Sequence, residues 1–256
     1  MAGQFSLKSF LRQAPNVLRR RYLKERGLGK GVGWSQLTER SVDRLTRAIE
    51  EAGEDVKTQI GCDFQQIHGM ANEGGIQTLI KEGSNPNHNV NLAEPFGEMK
   101  NHYERAFRAF LEHPKIFQVA QQLYSADRRG SWRKQRDLPS TEPSTEAGTR
   151  ERLGKAISEY YRHKEGRGEG SQVDHYYHEG RLYWFAYPED YAIGQLVYGD
   201  NDELCLATLR PAFEVIFVHD AEERSLSTWV RGPASTVKDL RKLFGNIVLG
   251  VDLDLP

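Results

Sequence analysis

Residues 171–231 carry the pattern that most restricts the fold of this chain, because short apolar segments alternate there with turn residues. Segments rich in Val, Ile, Tyr, Phe and Trp are typical of strands, and the Gly, Pro, Asn and Asp residues between them favour tight turns. Strands are predicted at 172–178, 181–187, 191–198, 203–209, 213–219 and 225–231. Both faces of the fifth segment are mostly apolar, which predicts a strand in the centre of the sheet.

The regions on either side of this β-rich stretch have the periodicity of helices. Residues 1–124 repeat apolar side chains at spacings of three and four, which predicts about six amphipathic helices in a bundle-like unit. Further helices are predicted at 149–163 and 235–244. The predicted fold class is therefore α+β, with an all-helical N-terminal unit followed by an antiparallel β-meander of about six strands flanked by helices.

Residues 125–148 differ from both of these regions, since they are basic up to Asp137 and then polar and interrupted by prolines. A segment with so few apolar side chains buries too little surface to order itself. We therefore predict three parts: a helical domain at 1–124, an exposed basic and polar linker at 125–148, and an α+β meander domain at 149–256.

Composition predicts a globular protein outside the membrane. Of the 256 residues, 38% are hydrophobic and 28% are charged, and no apolar run is long enough to cross a bilayer. The first residues also lack the apolar segment of a secretory signal. We therefore expect a cytoplasmic protein with no membrane partner.

The net charge of −1 conceals an uneven distribution. Residues 1–30 contain eight Lys or Arg and one Glu, which gives +7, and residues 125–140 contain five basic and two acidic residues, which gives +3. Such segments favour contact with a partner protein, with a nucleic acid or with the acidic surface of the same chain. The N-terminal basic cluster comprises Arg19, Arg20, Arg21, Lys24 and Arg26, and the linker cluster comprises Arg128, Arg129, Trp132, Arg133, Lys134 and Arg136.

Histidines and acidic residues gather at two places in the β-rich region, around His175 and His178 and again at His219 and Asp220. Consecutive side chains of a strand point to opposite faces, so residues three apart do not ligate one metal without a bulge. The spacing of known zinc motifs is also absent. We predict no metal site and no cofactor, and retain His178 and His219 only as weak catalytic candidates.

A second weak catalytic candidate lies in the helical region. Arg108 and His113 have the Arg-x4-His spacing and resemble the motif of helical HEPN-type ribonucleases over six residues, although Phe110 stands where that motif usually has a polar residue. The resemblance implies that these two side chains would act in RNA cleavage. The simpler alternative is that His113, which precedes Pro114, caps a junction between two helices.

The function class favoured by these observations is a non-catalytic interaction or accessory subunit. It would contact a partner protein, a nucleic acid or both through its basic clusters. Membership of a prokaryotic multi-protein machine, of the anti-phage or mobile-element type, is a hypothesis that no single residue carries. The competing class is a metal-dependent or HEPN-like hydrolase acting on nucleic acid. Whether the chain is an enzyme therefore stays open, and the absence of a motif at catalytic spacing favours a non-catalytic protein.

Overall fold

The computed structural model describes residues 4–30, 32–199 and 203–253, and it divides the chain into two units, Met1–Arg128 and Arg129–Pro256. Within the described residues, no helix is both long and apolar enough to span a bilayer. The α+β class is confirmed, since helices occupy the N-terminal part and an antiparallel sheet with flanking helices follows.

The described part of the first unit is helical. Its helices are α1 (Leu7–Gln13), α2 (Asn16–Glu25), α3 (Asp43–Glu50), α4 (Glu54–Met70), α5 (Glu73–Gly83), α6 (Ala93–Gly97), α7 (His102–Glu112) and α8 (Pro114–Asp127). Asparagine side chains cap two of them: Asn72 accepts a hydrogen bond from the Gly75 amide, and Asn101 accepts one from the Glu104 amide. Pro114 fits the first position of α8, where its missing N–H costs nothing.

Aromatic rings form the centre of the first core. Phe10 stacks on Phe64 with 4.3 Å between ring centroids, and Phe107 packs edge-on against Phe64 at 5.9 Å. Tyr22 lies 4.9 Å from Phe64, so α1, α2, α4 and α7 meet at this point. Burial of such large rings supplies much of the stability of a small helical unit.

The close approach of α4 and α5 requires glycine at position 75. A Cβ atom at Gly75 would lie 2.4 Å from the Met70 carbonyl oxygen, whereas one at Gly61, inside α4, would meet nothing within 4 Å. We expect Gly75→Ala to lower the free energy of unfolding by about 1–3 kcal/mol, the usual cost of overpacking. Gly61→Ala should instead raise it by up to about 1 kcal/mol, because alanine is the better helix former. Urea unfolding followed by circular dichroism measures both, and equal effects would contradict the close approach.

The second unit contains seven strands and two α-helices among its described residues, and a π-helical turn, Gly245–Leu249, follows the second helix. The strands and α-helices are β1 (Arg133–Gln135), α9 (Ala147–Glu165), β2 (Ser171–His178), β3 (Arg181–Pro188), β4 (Ile193–Tyr198), β5 (Leu204–Leu209), β6 (Val215–Asp220), β7 (Ser225–Val230) and α10 (Ala234–Phe244). Five strands form one antiparallel sheet in the order β1-β7-β6-β3-β2, and β4 pairs with β5 alone. One face of the large sheet packs on α9 and α10 through Trp184, Phe217 and Phe244.

All six predicted strands are present, but their connection differs from a continuous meander. β3 pairs with β6 rather than with β4, so β4 and β5 leave the sheet as a separate hairpin and the chain then returns. β6 is buried along its whole length between β3 and β7, as expected for a central strand. The two most buried strands therefore pair in the centre, across 26 residues of intervening chain between Pro188 and Val215.

The segment 125–148 also differs from the exposed linker that its composition predicts. Its first residues complete α8, and β1 pairs with β7 at the edge of the sheet. Leu138 is fully buried in the second core, and its amide donates to the Arg224 carbonyl at 3.0 Å. A single apolar side chain and a free sheet edge are enough to order a polar segment, because the backbone groups of the edge strand supply the hydrogen bonds.

Candidate interaction hairpin and adjoining pocket

The hairpin formed by β4 and β5 exposes apolar side chains on both of its faces. Leu196 pairs with Leu206 and Tyr198 with Leu204 on one face, while Ile193 pairs with Leu209 on the other. The exposed fractions are large: Tyr198 77%, Leu206 69%, Leu196 62%, Leu204 58%, Ile193 46% and Leu209 40%. Neither strand contains a charged residue. A contiguous apolar patch of this kind marks an interaction surface.

Within the described residues, no third strand joins the hairpin and no helix packs along it. Its base, in contrast, is firmly held. The Asp190 amide donates to the Pro211 carbonyl at 2.7 Å, and Arg210 pairs with Glu189 at 3.3 Å. Arg167 binds Asp190 at 2.8 Å. The direction of the hairpin is thus fixed while its two strands stay uncovered.

A pocket of about 440 Å³ lies beside the base of the hairpin, and residues of the second unit line it. Its lining combines aromatic and charged side chains. Its lining includes Tyr187 of β3, Trp229 of β7, Asp190, Phe213, Glu214 and three arginines, Arg129, Arg167 and Arg231. This volume lies within the range of small-molecule sites.

Two of the three arginines are already paired. Arg129 binds Glu214 and lies over the Trp229 ring, with 4.7 Å from its guanidinium carbon to the ring centroid. Arg167 lies 4.0 Å over the Phe213 ring and pairs with Asp190. Burial opposes ionisation of Asp190, but the hydrogen bonds from Arg167 and from the Tyr191 amide, together with the positive charges of Arg167 and Arg231, outweigh it, so the pKa of Asp190 is lowered. Each of these two guanidinium groups is therefore held over an aromatic ring by an ion pair.

Arg231 is the unpaired arginine of the pocket. It is exposed, and no carboxylate within the described chain forms an ion pair with it. The Tyr187 hydroxyl likewise has no hydrogen bond among the described residues. Burial and the neighbouring Glu214 carboxylate raise the pKa of Tyr187, so this hydroxyl stays neutral and able to donate. The pocket thus presents one cation and one donor for an external group.

The histidine candidates are not brought together. His178 lies opposite Arg181 and His219 opposite Leu182, and consecutive residues of β3 point to opposite faces, so these two histidines lie on opposite faces of the sheet. His175 stacks on Trp184 at 4.9 Å on the face of His219, but β3 separates them by roughly 10 Å. Burial lowers the pKa of both His175 and His219, so each is a neutral, packed side chain at pH 7.

Arg108 and His113 lie where their sequence placed them, on α7 and at its junction with α8. His113 is the residue that ends α7 and precedes α8, which agrees with the simpler alternative of a helix junction. Arg108 lies 3.9 Å from Glu112, which also accepts a hydrogen bond from Arg21 at 3.1 Å. The arginine of the ribonuclease-like motif is thus close to a carboxylate of its own helix.

The N-terminal basic cluster is only in part the exposed surface predicted from the sequence. Arg19 is fully buried, and burial lowers its pKa to about 10 against the opposing charge of Glu39. Arg26 binds the buried Asp63 at 2.5 Å. Arg20, Arg21 and Lys24 are exposed. The number of arginines and lysines in the cluster overstates the positive charge available to a partner, because Arg19 and Arg26 are engaged inside the first unit.

The linker cluster is divided in the same way. Arg129 pairs with Glu214 and Lys134 pairs with Glu223, so two of its cations are compensated within the second unit. Arg133 lies on β1, and its carbonyl accepts a hydrogen bond from Arg241. Its exposed arginines are Arg128, Arg133 and Arg136, and Trp132 is half-buried. Only part of this cluster is therefore available to a ligand.

Sequence reasoning predicted the two strands of the hairpin but missed their exposure, and it missed most of the pocket. The signal for the hairpin was present, since the segments 191–199 and 204–209 lack charge on either face in a chain with 28% charged residues. Buried central strands also lack charge on both faces, so composition alone does not decide whether such a strand is exposed or buried. Arg167, Asp190 and Arg231 meet only through tertiary structure, and no spacing along the chain reveals them.

Within residues 4–30, 32–199 and 203–253, no group of three or more His, Cys, Asp or Glu side chains is arranged to hold a metal ion. No protein-family model matches the chain, and no curated protein or solved structure is significantly similar to it. Its function has to be inferred from its own residues.

Proposed function

We propose that this chain is a non-catalytic interaction subunit that binds a partner protein through the β4–β5 hairpin. The observation that carries the proposal is an uncharged, two-stranded sheet with apolar side chains exposed on both faces. A partner with an apolar surface or a free strand edge would cover it, because a charged surface would lose its hydration there without compensation.

The stability of the hairpin supports this proposal. An isolated two-stranded hairpin is marginally stable in water, and three strands or packing against another element are needed for a stable sheet. Neither support exists within the described chain. Binding of an external strand or surface would supply it, and the anchored base would present the hairpin in one orientation.

The basic clusters have a secondary role in this proposal. Arg20 and Lys24 on α2, and Arg136 beyond β1, are exposed and suit acidic groups of a partner protein or a nucleic acid. Exposed pairs of this kind contribute little free energy individually, whereas buried apolar side chains dominate affinity. The hydrolase alternative has less support, since the histidine candidates lie apart on the two faces of the sheet.

The test is substitution of Leu206 by aspartate, with Val17→Asp as a matched control. Val17 is an apolar side chain of the first unit with an exposed fraction of 76%, comparable to the 69% of Leu206. Each tagged variant is isolated from the cells that produce the chain, and the mass of the complex is measured by native mass spectrometry. We expect Leu206→Asp to weaken the complex about tenfold or more and Val17→Asp to leave it unchanged, with both variants keeping the wild-type melting temperature.

Two results would count against this proposal. One is a complex that forms equally well with the Leu206→Asp variant, which would place the contact elsewhere. The other is a purified wild-type chain that is a stable dimer by light scattering and is converted to a monomer by Leu206→Asp, which would make a second copy of the chain the occupant of the hairpin.

A further inference from the structure

We propose that the pocket beside the hairpin binds a nucleoside monophosphate, either as a free nucleotide or as one unit of a single-stranded nucleic acid. The proposal is independent of the partner of the hairpin, because the exposed apolar side chains of β4 and β5 do not line the pocket. Three properties of the lining select this ligand: one arginine without an ion pair among the described residues, two arginine–aromatic stacks and two carboxylate acceptors.

The phosphate end is assigned to Arg231. Three arginines and two carboxylates line the pocket, which leaves a charge of +1, and Arg231 is the arginine without an ion pair in the described chain. Ala186 and Val230 both pair with Val215, so Tyr187 and Arg231, which follow them, lie at the same level of the sheet. They lie on either side of β6 and both line the pocket, so the neutral Tyr187 hydroxyl adds a hydrogen-bond donor to the cavity that Arg231 enters, and a phosphate is a suitable acceptor for both.

The base end is assigned to the two arginine–aromatic stacks. Arg129 over Trp229 and Arg167 over Phe213 present planar surfaces whose orientation is fixed by ion pairs with Glu214 and Asp190. Nucleic-acid bases stack on aromatic rings and on guanidinium planes in proteins that bind single strands. Stacking does not depend on the identity of the base, so it provides affinity without selectivity.

Selectivity would come from the carboxylates. Glu214 and Asp190 are acceptors within the lining, and a carboxylate accepts a hydrogen bond from the exocyclic amine of cytosine. They also limit the charge of the ligand. A triphosphate would place several negative charges beside two carboxylates and only one unpaired cation, so a monophosphate is favoured.

The test is titration calorimetry of the full chain with CMP, AMP, UMP, ATP and inorganic phosphate. We expect saturable binding of CMP and AMP, at least tenfold weaker binding of UMP, and weaker binding of ATP and of phosphate alone. Stacking at Trp229 should also quench tryptophan fluorescence in the wild type and not in Trp229→Leu. A short single-stranded oligonucleotide in a parallel titration identifies the source: tighter Arg231-dependent binding than CMP assigns the site to a nucleic acid, and equal or weaker binding assigns it to the free nucleotide.

Arg231→Gln is the decisive variant, and Arg210→Gln is its matched control. Arg210 is an exposed arginine at the base of the hairpin that does not line the pocket. We expect Arg231→Gln to weaken CMP binding about tenfold and Arg210→Gln to leave it unchanged, and Leu206→Asp should also leave it unchanged. Absence of saturable nucleotide binding, equal effects of the two arginine variants, or phosphate binding as tight as CMP binding would each overturn the proposal.

Discussion

Replacement of Asp63 by alanine is expected to lower the free energy of unfolding of the first unit by about 3–5 kcal/mol, because it leaves a half-buried arginine and a buried tyrosine without their acceptor. The Tyr22 hydroxyl donates to Asp63 at 2.6 Å, and Arg26 donates to the same oxygen at 2.5 Å. Gln59 donates to the other oxygen at 2.8 Å. One carboxylate thus holds α2 against α4.

The geometry around Asp63 explains why the loss should be large. The Arg26 guanidinium lies 3.5 Å over the Tyr22 ring, so both donors are fixed before they reach the carboxylate. Burial and the hydrogen bond to Asp63 raise the pKa of Tyr22, which keeps its hydroxyl neutral. No other acceptor for both donors is provided by α2 itself, since its only carboxylate, Glu25, pairs with Arg21.

Asp55→Ala is the matched control for this measurement, since Asp55 is an exposed carboxylate of the same helix. Urea unfolding followed by circular dichroism gives both free energies. We expect the control to change stability by less than about 1 kcal/mol. A loss below about 1 kcal/mol in Asp63→Ala would show that Arg26 and Tyr22 reach water in the folded unit. In the double variant Asp63→Ala/Arg26→Met, we expect the loss in free energy of unfolding to be smaller than the sum of the two single losses, because the two side chains share one interaction.

Replacement of Leu138 by alanine is the second substitution with a large expected effect. Leu138 is fully buried in the core of the second unit, and truncation of a buried leucine costs about 2–5 kcal/mol. The same change should loosen β1, since Leu138 and its hydrogen bonds to Arg224 secure the chain directly after that strand. Ser140→Ala, an exposed position two residues further on, serves as the control.

Trypsin provides the measurement for β1. Arg133 and Lys134 are cleavable residues inside the strand, and their backbone is paired with β7 in the wild type. We expect slow cleavage there in the wild type and in Ser140→Ala, and faster cleavage in Leu138→Ala, with a matching loss of thermal stability. Rapid cleavage in the wild type would instead support the prediction, made from composition, that residues 125–148 form an exposed linker.

The elements of the fold were predictable, and their partners were less so. Periodicity located the strands from Ser171 to Val230 to within about two residues, because side-chain alternation is a local property. The pairing of β3 with β6 is a property of distant segments, and consecutive strands are neighbours only about two-thirds of the time. The burial of Leu138 escaped prediction for the same reason, since one apolar side chain in a polar segment gives no periodic signal.

The charges of the candidate site were the least predictable part. Counting placed Arg19 and Arg26 on a surface, yet one is buried and the other is bound to Asp63, 37 residues away. Arg231 was not singled out, although it is the pocket arginine without an ion pair in the described chain. Composition counts charges without regard to their partners, and it is the pairing that decides which of them are free to act.

The lack of charge in β4 and β5 also affects the fate of the chain while the hairpin is uncovered. Native edge strands usually carry lysines or prolines that discourage sheet growth, and neither strand of this hairpin contains one. The nearest charged residues to β5 are Glu203 and Arg210 at its two ends, and Pro211 follows Arg210. On the proposed function, a cell that makes more of this chain than of a partner for the hairpin would accumulate a template for aggregation, and the supply of the two proteins would have to be matched.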